Sequence, residues 1–141
     1  MKILIMGLPG AGKTTLAEQL QKLLPNCAWF NADKVRSMAN DWDFSEEGRL
    51  RQSYRMKTYT DFEVFNRRNV ICDFVCPTDG TRKLFGANYI IWMNTIKEGR
   101  FEDTNKVFVE PEFPDIIFEN FPTEDDVLWC AAKILEEIER V

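Results

Sequence analysis

Eight consecutive residues near the N-terminus carry the strongest chemical signal. Gly7-Leu8-Pro9-Gly10-Ala11-Gly12-Lys13-Thr14 fits G-x-x-x-x-G-K-[ST] in full. Its glycines let the backbone wrap an anion with no side chain in the way. Successive amides, with a helix N-terminus behind them, supply donors and partial positive charge. Lys13 would bridge the β- and γ-phosphates of a nucleoside triphosphate and follow charge into the transition state. The Thr14 hydroxyl would ligate magnesium. The expected nucleotide contacts are therefore Gly7, Leu8, Pro9, Gly10, Ala11, Gly12, Lys13, Thr14 and Thr15, with ATP and Mg2+ as cofactors.

Phosphoryl transfer to a hydroxyl needs a carboxylate near the acceptor. Asp33, in Asn31-Ala32-Asp33-Lys34-Val35-Arg36, is the leading candidate and also reads as a helix N-cap. Asp73 is the rival, a carboxylate inside the apolar run Val70-Ile71-Cys72-Asp73-Phe74-Val75. Such a group needs a partner. Either it binds magnesium-bound water, or a nearby Arg or Lys satisfies it. The chain has no histidine, which removes His-based zinc sites, imidazole bases and Ser-His-Asp triads. Cys27, Cys72, Cys76 and Cys130 match no zinc spacing and read as free buried thiols. Cys72 and Cys76 sit four apart in one predicted strand, too far for a disulfide.

Arg49, Gln52 and Arg55 recur on one side of a predicted helix, after the aromatics Trp42 and Phe44. An arginine ladder can be a solvated face. Beside a phosphate loop and an aromatic it reads as an anion-holding wall.

These residues need a scaffold that brings them together. Lys2–Met6 reads as a buried strand ended by Gly7, and Lys13 to Leu24 as an amphipathic helix stopped by Pro25. Ala28–Asn31 is a second strand, and Asp33 caps a short helix through Ala39. Ser45 opens a long helix to about Asn66 with Leu50, Tyr54, Phe62 and Phe65 inward. Asn69–Val75 is a third strand, Arg82–Phe85 ends a short helix, and Ala87–Met93 is a fourth strand. Residues 94–114 read as irregular. Asp115–Phe118 is a fifth strand, and Thr123 opens a last helix with an acidic first turn. Alternating strands and helices predict a three-layer α/β P-loop NTPase fold of the nucleoside- and nucleotide-kinase kind, with a five-stranded parallel sheet. Ligands in such sheets sit outside the carboxyl ends of the strands.

The 141 residues fit one domain, 1–141. With 45% hydrophobic residues the chain is an ordinary globular one, and the net charge of −5 argues against a duplex-DNA binder. The apolar run at Ile3–Met6 is too short for a signal-peptide core, and no segment approaches a membrane span. The expectation is a soluble, cytoplasmic protein with no membrane partner. The chain is short for a GTPase switch and lacks N-K-x-D, and an oligomeric ATPase would need far more residues. A kinase of a small molecule is the simplest reading.

Beyond the phosphate loop the chain resembles adenylyl-sulfate kinase, which phosphorylates the 3′-hydroxyl of adenosine 5′-phosphosulfate with ATP. The family's D-G-D-N-x-R corresponds to Asn31-Ala32-Asp33-Lys34-Val35-Arg36, keeping Asp33 and Arg36. Its G-F-S, acidic residues, then D-R-x-x-N-x-x-R corresponds to Asp43-Phe44-Ser45-Glu46-Glu47-Gly48-Arg49, then Gln52 and Arg55. Its I-S-P-Y-x-x-D-R falls on Val75 to Arg82, keeping Pro77 and Arg82, and its F-T-G motif falls on Phe101 to Asp115. The resemblance implies Lys13 and Asp33 as catalytic residues. It implies an acceptor site of Arg36, Phe44, Arg49, Gln52, Arg82 and Phe101, with Phe44 stacking on the base and Arg49 holding the phosphosulfate. It departs at Asn31 and Cys76, where the family has Asp and Ser. The family's mobile lid before F-T-G is reduced to Thr95–Arg100, with Lys97 and Arg100 as its charges.

Two function classes follow. One is an ATP- and Mg-dependent kinase of a nucleotide-type hydroxyl, with adenosine phosphosulfate leading and a nucleoside or polynucleotide end as the alternative. The other is a degenerate ATP-binding module that regulates a partner. The exposed aromatics fit a homodimer or the footprint of the missing lid equally.

Overall fold

The computed structural model describes residues 1–140. Five strands form one parallel sheet: β1 (Lys2–Met6), β2 (Cys27–Asn31), β3 (Asn69–Asp73), β4 (Tyr89–Met93) and β5 (Ile116–Phe118). Their spatial order is β2-β3-β1-β4-β5. The helices are α1 (Lys13–Leu23), α2 (Ala32–Ala39), α3 (Glu46–Phe65), α4 (Asp79–Phe85), α5 (Glu102–Val107) and α6 (Glu124–Glu139).

β1 is central and buried on both faces, as its unbroken apolar run requires. Alternate residues feed two cores. Ile3 and Ile5 pack with α1 and α6 through Leu16, Leu20, Val127 and Ile134. Leu4 and Met6 pack on the other face with Val35 of α2, Met56 of α3 and Phe85 of α4. The result is the expected three-layer α/β arrangement. Phe85 is wholly buried, edge-on to Phe74 and beneath the Lys2 ammonium. Phe85→Ala should cost about 3–5 kcal/mol of stability, read as a lower denaturant midpoint.

Four expectations are corrected. First, Asp33 is not the cap of α2. Asn31 is, its side chain accepting from the Lys34 amide at 2.9 Å, and Asp33 sits in the acidic first turn. Second, β3 ends at Asp73, so Cys76 lies beyond the strand in a left-handed backbone with φ 46°. Third, residues 94–114 are not wholly irregular, for they contain α5.

The fourth correction is the largest. Helix α3 faces opposite to its apolar pattern. Leu50, Tyr54, Phe62 and Phe65 are 46%, 52%, 64% and 86% exposed, while Gly48, Gln52, Ser53, Met56, Thr60 and Glu63 are buried. Each buried polar group has a partner. Ser53 and Thr60 hydroxyls donate to the carbonyls of Arg49 and Met56, Gln52 donates to the Ala32 carbonyl, and Glu63 accepts from Arg68. Satisfied in this way, they cost little to bury. Position 48 requires glycine, because a Cβ there would fall 2.1 Å from the Asp43 carbonyl oxygen.

Candidate active site

The strands run parallel, so their carboxyl ends share one edge of the sheet. At that edge β1 gives way to residues 7–14, the phosphate loop. Gly10 and Gly12 take left-handed backbone, at φ 91° and 93°. A Cβ on Gly12 would also come within 3.1 Å of the Phe121 ring. Gly12 is the N-cap of α1, and no side chain caps that helix. Its first-turn amides therefore keep their hydrogen-bonding capacity for a ligand.

Lys13 folds back on the loop, its ammonium donating to the carbonyls of Gly7 (2.9 Å) and Leu8 (2.8 Å). Burial pushes its pKa down to about 8, Asp73 and Asp33 oppose that shift, and Arg100 adds to it. The bound triphosphate would favour the charged ammonium, so Lys13 should take up a proton on binding above that value. ATP affinity should therefore be flat below about pH 8 and fall above it, approaching about tenfold per pH unit for one linked proton. Calorimetry across pH would read this slope, and a Lys13→Met variant should lack it.

Asp73, at the end of β3, is buried without an ion pair among the described residues. Trp29 donates to its Oδ1 at 2.6 Å, and Thr14 and Asn31 each donate to its Oδ2 at 2.9 Å. Of the two partners considered for it, Arg or Lys is thus not the one used. Burial raises its pKa, against those three hydrogen bonds and the charge of Lys13. The Asn31 amide also donates to Thr14 Oγ1 at 3.1 Å. One asparagine thereby caps α2 and ties Thr14 to Asp73. A carboxylate at this position could make neither donation and would repel Asp73. Asn31→Asp should lower stability by about 1–3 kcal/mol, with much of the loss recovered in excess Mg2+. Thermal melts with and without the metal would show it.

Thr14 and Asp73 present two adjacent hard oxygens, the donor chemistry magnesium takes. No cluster of three or more metal-ligating side chains occurs among the described residues. The residues present thus fit an ion shared with substrate phosphates rather than held in an all-protein cage.

A single cleft of about 950 Å³ joins these groups to the rest of the site. Besides Lys13, Thr14 and Asp73, its walls include Asp33, Trp42, Phe44, Arg49, Gln52, Arg100, Phe101 and Phe121. Asp33 is exposed and forms no ion pair among the described residues. Arg49 is likewise unpaired.

Other expected acceptor residues are committed elsewhere. Arg36 borders the cleft, but it donates to the carbonyls of Asp41 (2.9 Å) and Asp43 (3.3 Å). It also lies 4.4 Å from the centre of the Phe44 ring. It holds the loop that presents Phe44. Arg82 does not line the cleft. Its guanidinium is buried, donating to the carbonyls of Cys76 and Val109 and pairing with Asp79. Arg55 pairs with Asp41 at 2.9 Å and donates to Gln52 Oε1 at 2.6 Å, and Arg51 also grips Asp41. Hydrogen bonds from Arg51 and Arg55 hold the Asp41 carboxyl far below the usual range.

The short lid segment is fastened to the phosphate loop. The Thr95 hydroxyl donates to the Ala11 carbonyl at 2.8 Å, and Gly99 packs against Pro9. Asn105 of α5 clips both backbone groups of Gly99, at 2.8 and 3.0 Å. This arrangement delivers Arg100 and Phe101 to the cleft, with the Arg100 guanidinium 5.6 Å from the Phe101 ring centre. Sequence reasoning missed Phe121 and the Trp29 donor. The second follows from the strand register, which pairs Asn31 with Asp73 and Trp29 with Ile71. That places Trp29 diagonally beside Asp73.

A family model described as an AAA domain matches residues 3–106. The chain belongs to the AAA domain family. No curated protein matches the sequence. Among solved structures, this AAA-domain chain is similar to APE1195, with a TM-score of 0.77 at 22% identity over 96% of this chain and 95% of that one. It is similar to the Mycobacterium tuberculosis APS kinase CysC, solved with AMPPNP and APS, with a TM-score of 0.77 at 16% identity over 98% and 96%. It is also similar to shikimate kinase from Acinetobacter baumannii, in complex with shikimate, with a TM-score of 0.58 at 18% identity over 99% and 93%. At these identities the likeness shows the fold, the three-layer P-loop kinase architecture. No helix among the described residues is long and apolar enough to cross a membrane.

Proposed function

We propose that the protein is an ATP- and Mg-dependent kinase that phosphorylates a hydroxyl of a nucleotide-type acceptor, the leading acceptor being the 3′-hydroxyl of adenosine 5′-phosphosulfate. The observation that carries this reading is the shared cleft. Lys13, Thr14 and Asp73 stand in it with the exposed carboxylate of Asp33 and a wall of Phe44, Arg49, Gln52 and Phe101. The loop amides and Lys13 would hold the triphosphate. Thr14 and, through water, Asp73 would hold Mg2+, which supplies charge neutralisation at the β- and γ-phosphates when bound. Asp33 would orient the acceptor hydroxyl and take its proton. The hydroxyl oxygen then bonds to the γ-phosphorus as the bond to the bridging β–γ oxygen breaks, and ADP leaves. Arg49 offers a free cation for an acceptor anion. Phe44 and Phe101 offer ring faces for a base. The structures of CysC with AMPPNP and APS, and of shikimate kinase with shikimate, support a phosphoryl acceptor site on this architecture.

The test is incubation with Mg2+ and γ-labelled ATP against adenosine 5′-phosphosulfate, nucleosides, and DNA or RNA 5′-ends. Label on the phosphosulfate supports the full reading. Label on another acceptor keeps the kinase and reassigns Phe44, Arg49 and Phe101. ATP binding with no label anywhere overturns the kinase reading in favour of a regulatory nucleotide-binding module.

A further inference from the structure

Two residues of β2 grip the two oxygens of one carboxylate on β3. We infer that Trp29 is a positioning residue for the metal site, which fixes the Asp73 carboxylate so that Oδ2 stays beside Thr14 and faces the ion. The inference rests on the reading of Thr14 and Asp73 as the magnesium-holding pair.

Side chains alternate along a strand, so Trp29 and Asn31 share one face of β2. On the neighbouring strand Asp73 lies opposite Asn31. Asn31 donates to Oδ2 at 2.9 Å, and the Trp29 indole reaches diagonally to Oδ1 at 2.6 Å. The two oxygens thus have separate duties. Oδ2 also takes the Thr14 hydroxyl and belongs to the phosphate-loop side. Oδ1 has Trp29 as its single hydrogen-bond donor among the described residues. A carboxylate held at both oxygens does not turn about its Cβ–Cγ bond without losing charge-assisted hydrogen bonds. An indole N–H donates and never accepts, so this contact serves only an acceptor oxygen. The ring itself has neighbours that keep it in place. It packs against the core that contains Leu16 and Leu20 of α1, and the Lys34 ammonium lies 5.1 Å from its centre.

A buried carboxylate needs partners for purely structural reasons too. This one, however, lines the cleft together with Thr14. A loosened Asp73 would also have a competing partner at hand, the Lys13 ammonium whose charge it already feels. Without the indole the carboxylate would turn toward Lys13 and away from the ion. Outer groups that orient metal ligands commonly contribute about 10–100-fold in metal affinity.

Trp29→Phe tests this, because it keeps a ring against the core and removes the N–H. Calorimetry with the analogue AMPPNP, with and without Mg2+, reads binding alone and does not depend on the acceptor. The wild type should bind more tightly with the metal. In Trp29→Phe that metal-dependent gain should shrink by about 10–100-fold. A loss of packing alone would weaken binding in both conditions and leave the gain intact. In an Asp73→Asn background, Trp29→Phe should change the gain no further, since the group it acts through is gone. A wild-type gain in Trp29→Phe overturns the inference, and so does an equal further loss in the Asp73→Asn background. A wild type whose affinity ignores Mg2+ overturns the metal reading and this inference together. Failure of phosphate transfer to every acceptor, which would sink the kinase reading, leaves a metal-linked effect of Trp29 standing. Should Trp29→Phe fail to fold, the wild-type Trp29 indole N–H resonance takes its place. A shift when Mg2+ joins the AMPPNP complex supports the inference, and a resonance that stays put overturns it.

Discussion

Lys13→Met is expected to lower phosphate transfer by about 10³-fold and to weaken ATP binding with it. The Lys13 ammonium is the one side-chain cation inside the phosphate loop, where it is held by the Gly7 and Leu8 carbonyls. In the loaded site its charge would move to the phosphates. Methionine keeps the length and the apolar stem, so packing beside α1 should survive. What is lost is a donor placed where negative charge grows as the γ-phosphoryl group leaves. Single-turnover transfer with labelled ATP is the measurement, with a thermal melt as the folding control. A variant within about tenfold of wild type would remove Lys13 from the mechanism.

Asp33→Asn is expected to have an effect of comparable size and opposite character. Turnover should fall by about 10²–10⁴-fold, the usual contribution of a positioned base. ATP affinity should hardly change, because Asp33 sits on the first turn of α2 and not in the loop. The folding cost should also be small. Asp33 is exposed, and Asn31, not Asp33, caps the helix. Losses confined to kcat would mark an interaction made only with the reacting hydroxyl. Retained turnover would pass the base role to another group. Weakened ATP binding without a kcat defect would instead make Asp33 a counter-charge to Lys13.

The features that were legible in the sequence are those coded by residues adjacent in the chain. Gly7, Gly10 and Gly12 write the loop's backbone directly, and Lys13 and Thr14 follow at fixed offsets. Asp73 stood out as a carboxylate in an apolar strand. Its Trp29 partner did not, because that contact depends on the register of two strands separated by α2 and α3. The inward face of α3 was misread for a different reason. Apolar periodicity assumes that burial follows hydrophobicity. Here Ser53 and Thr60 satisfy themselves on their own helix, while Gln52 and Glu63 find partners outside it. Nothing local distinguishes such a helix from one with its apolar face inward. Arg82 was misplaced because a motif position does not reveal that the guanidinium is spent on the carbonyls of Cys76 and Val109. The helix α5 escaped notice because its six residues carry no apolar period.

The fastening of the lid segment to the phosphate loop bears on the order in which substrates arrive. Thr95 is tied to the Ala11 carbonyl, and Asn105 clips Gly99 where it rests on Pro9. Arg100 and Phe101 therefore have their positions set by the same backbone that would close around a triphosphate. Within the proposed kinase, the wall on which the acceptor lands is therefore already set before ATP arrives. An acceptor arriving first would find that wall in place, so steady-state kinetics should show no compulsory sequence of substrates.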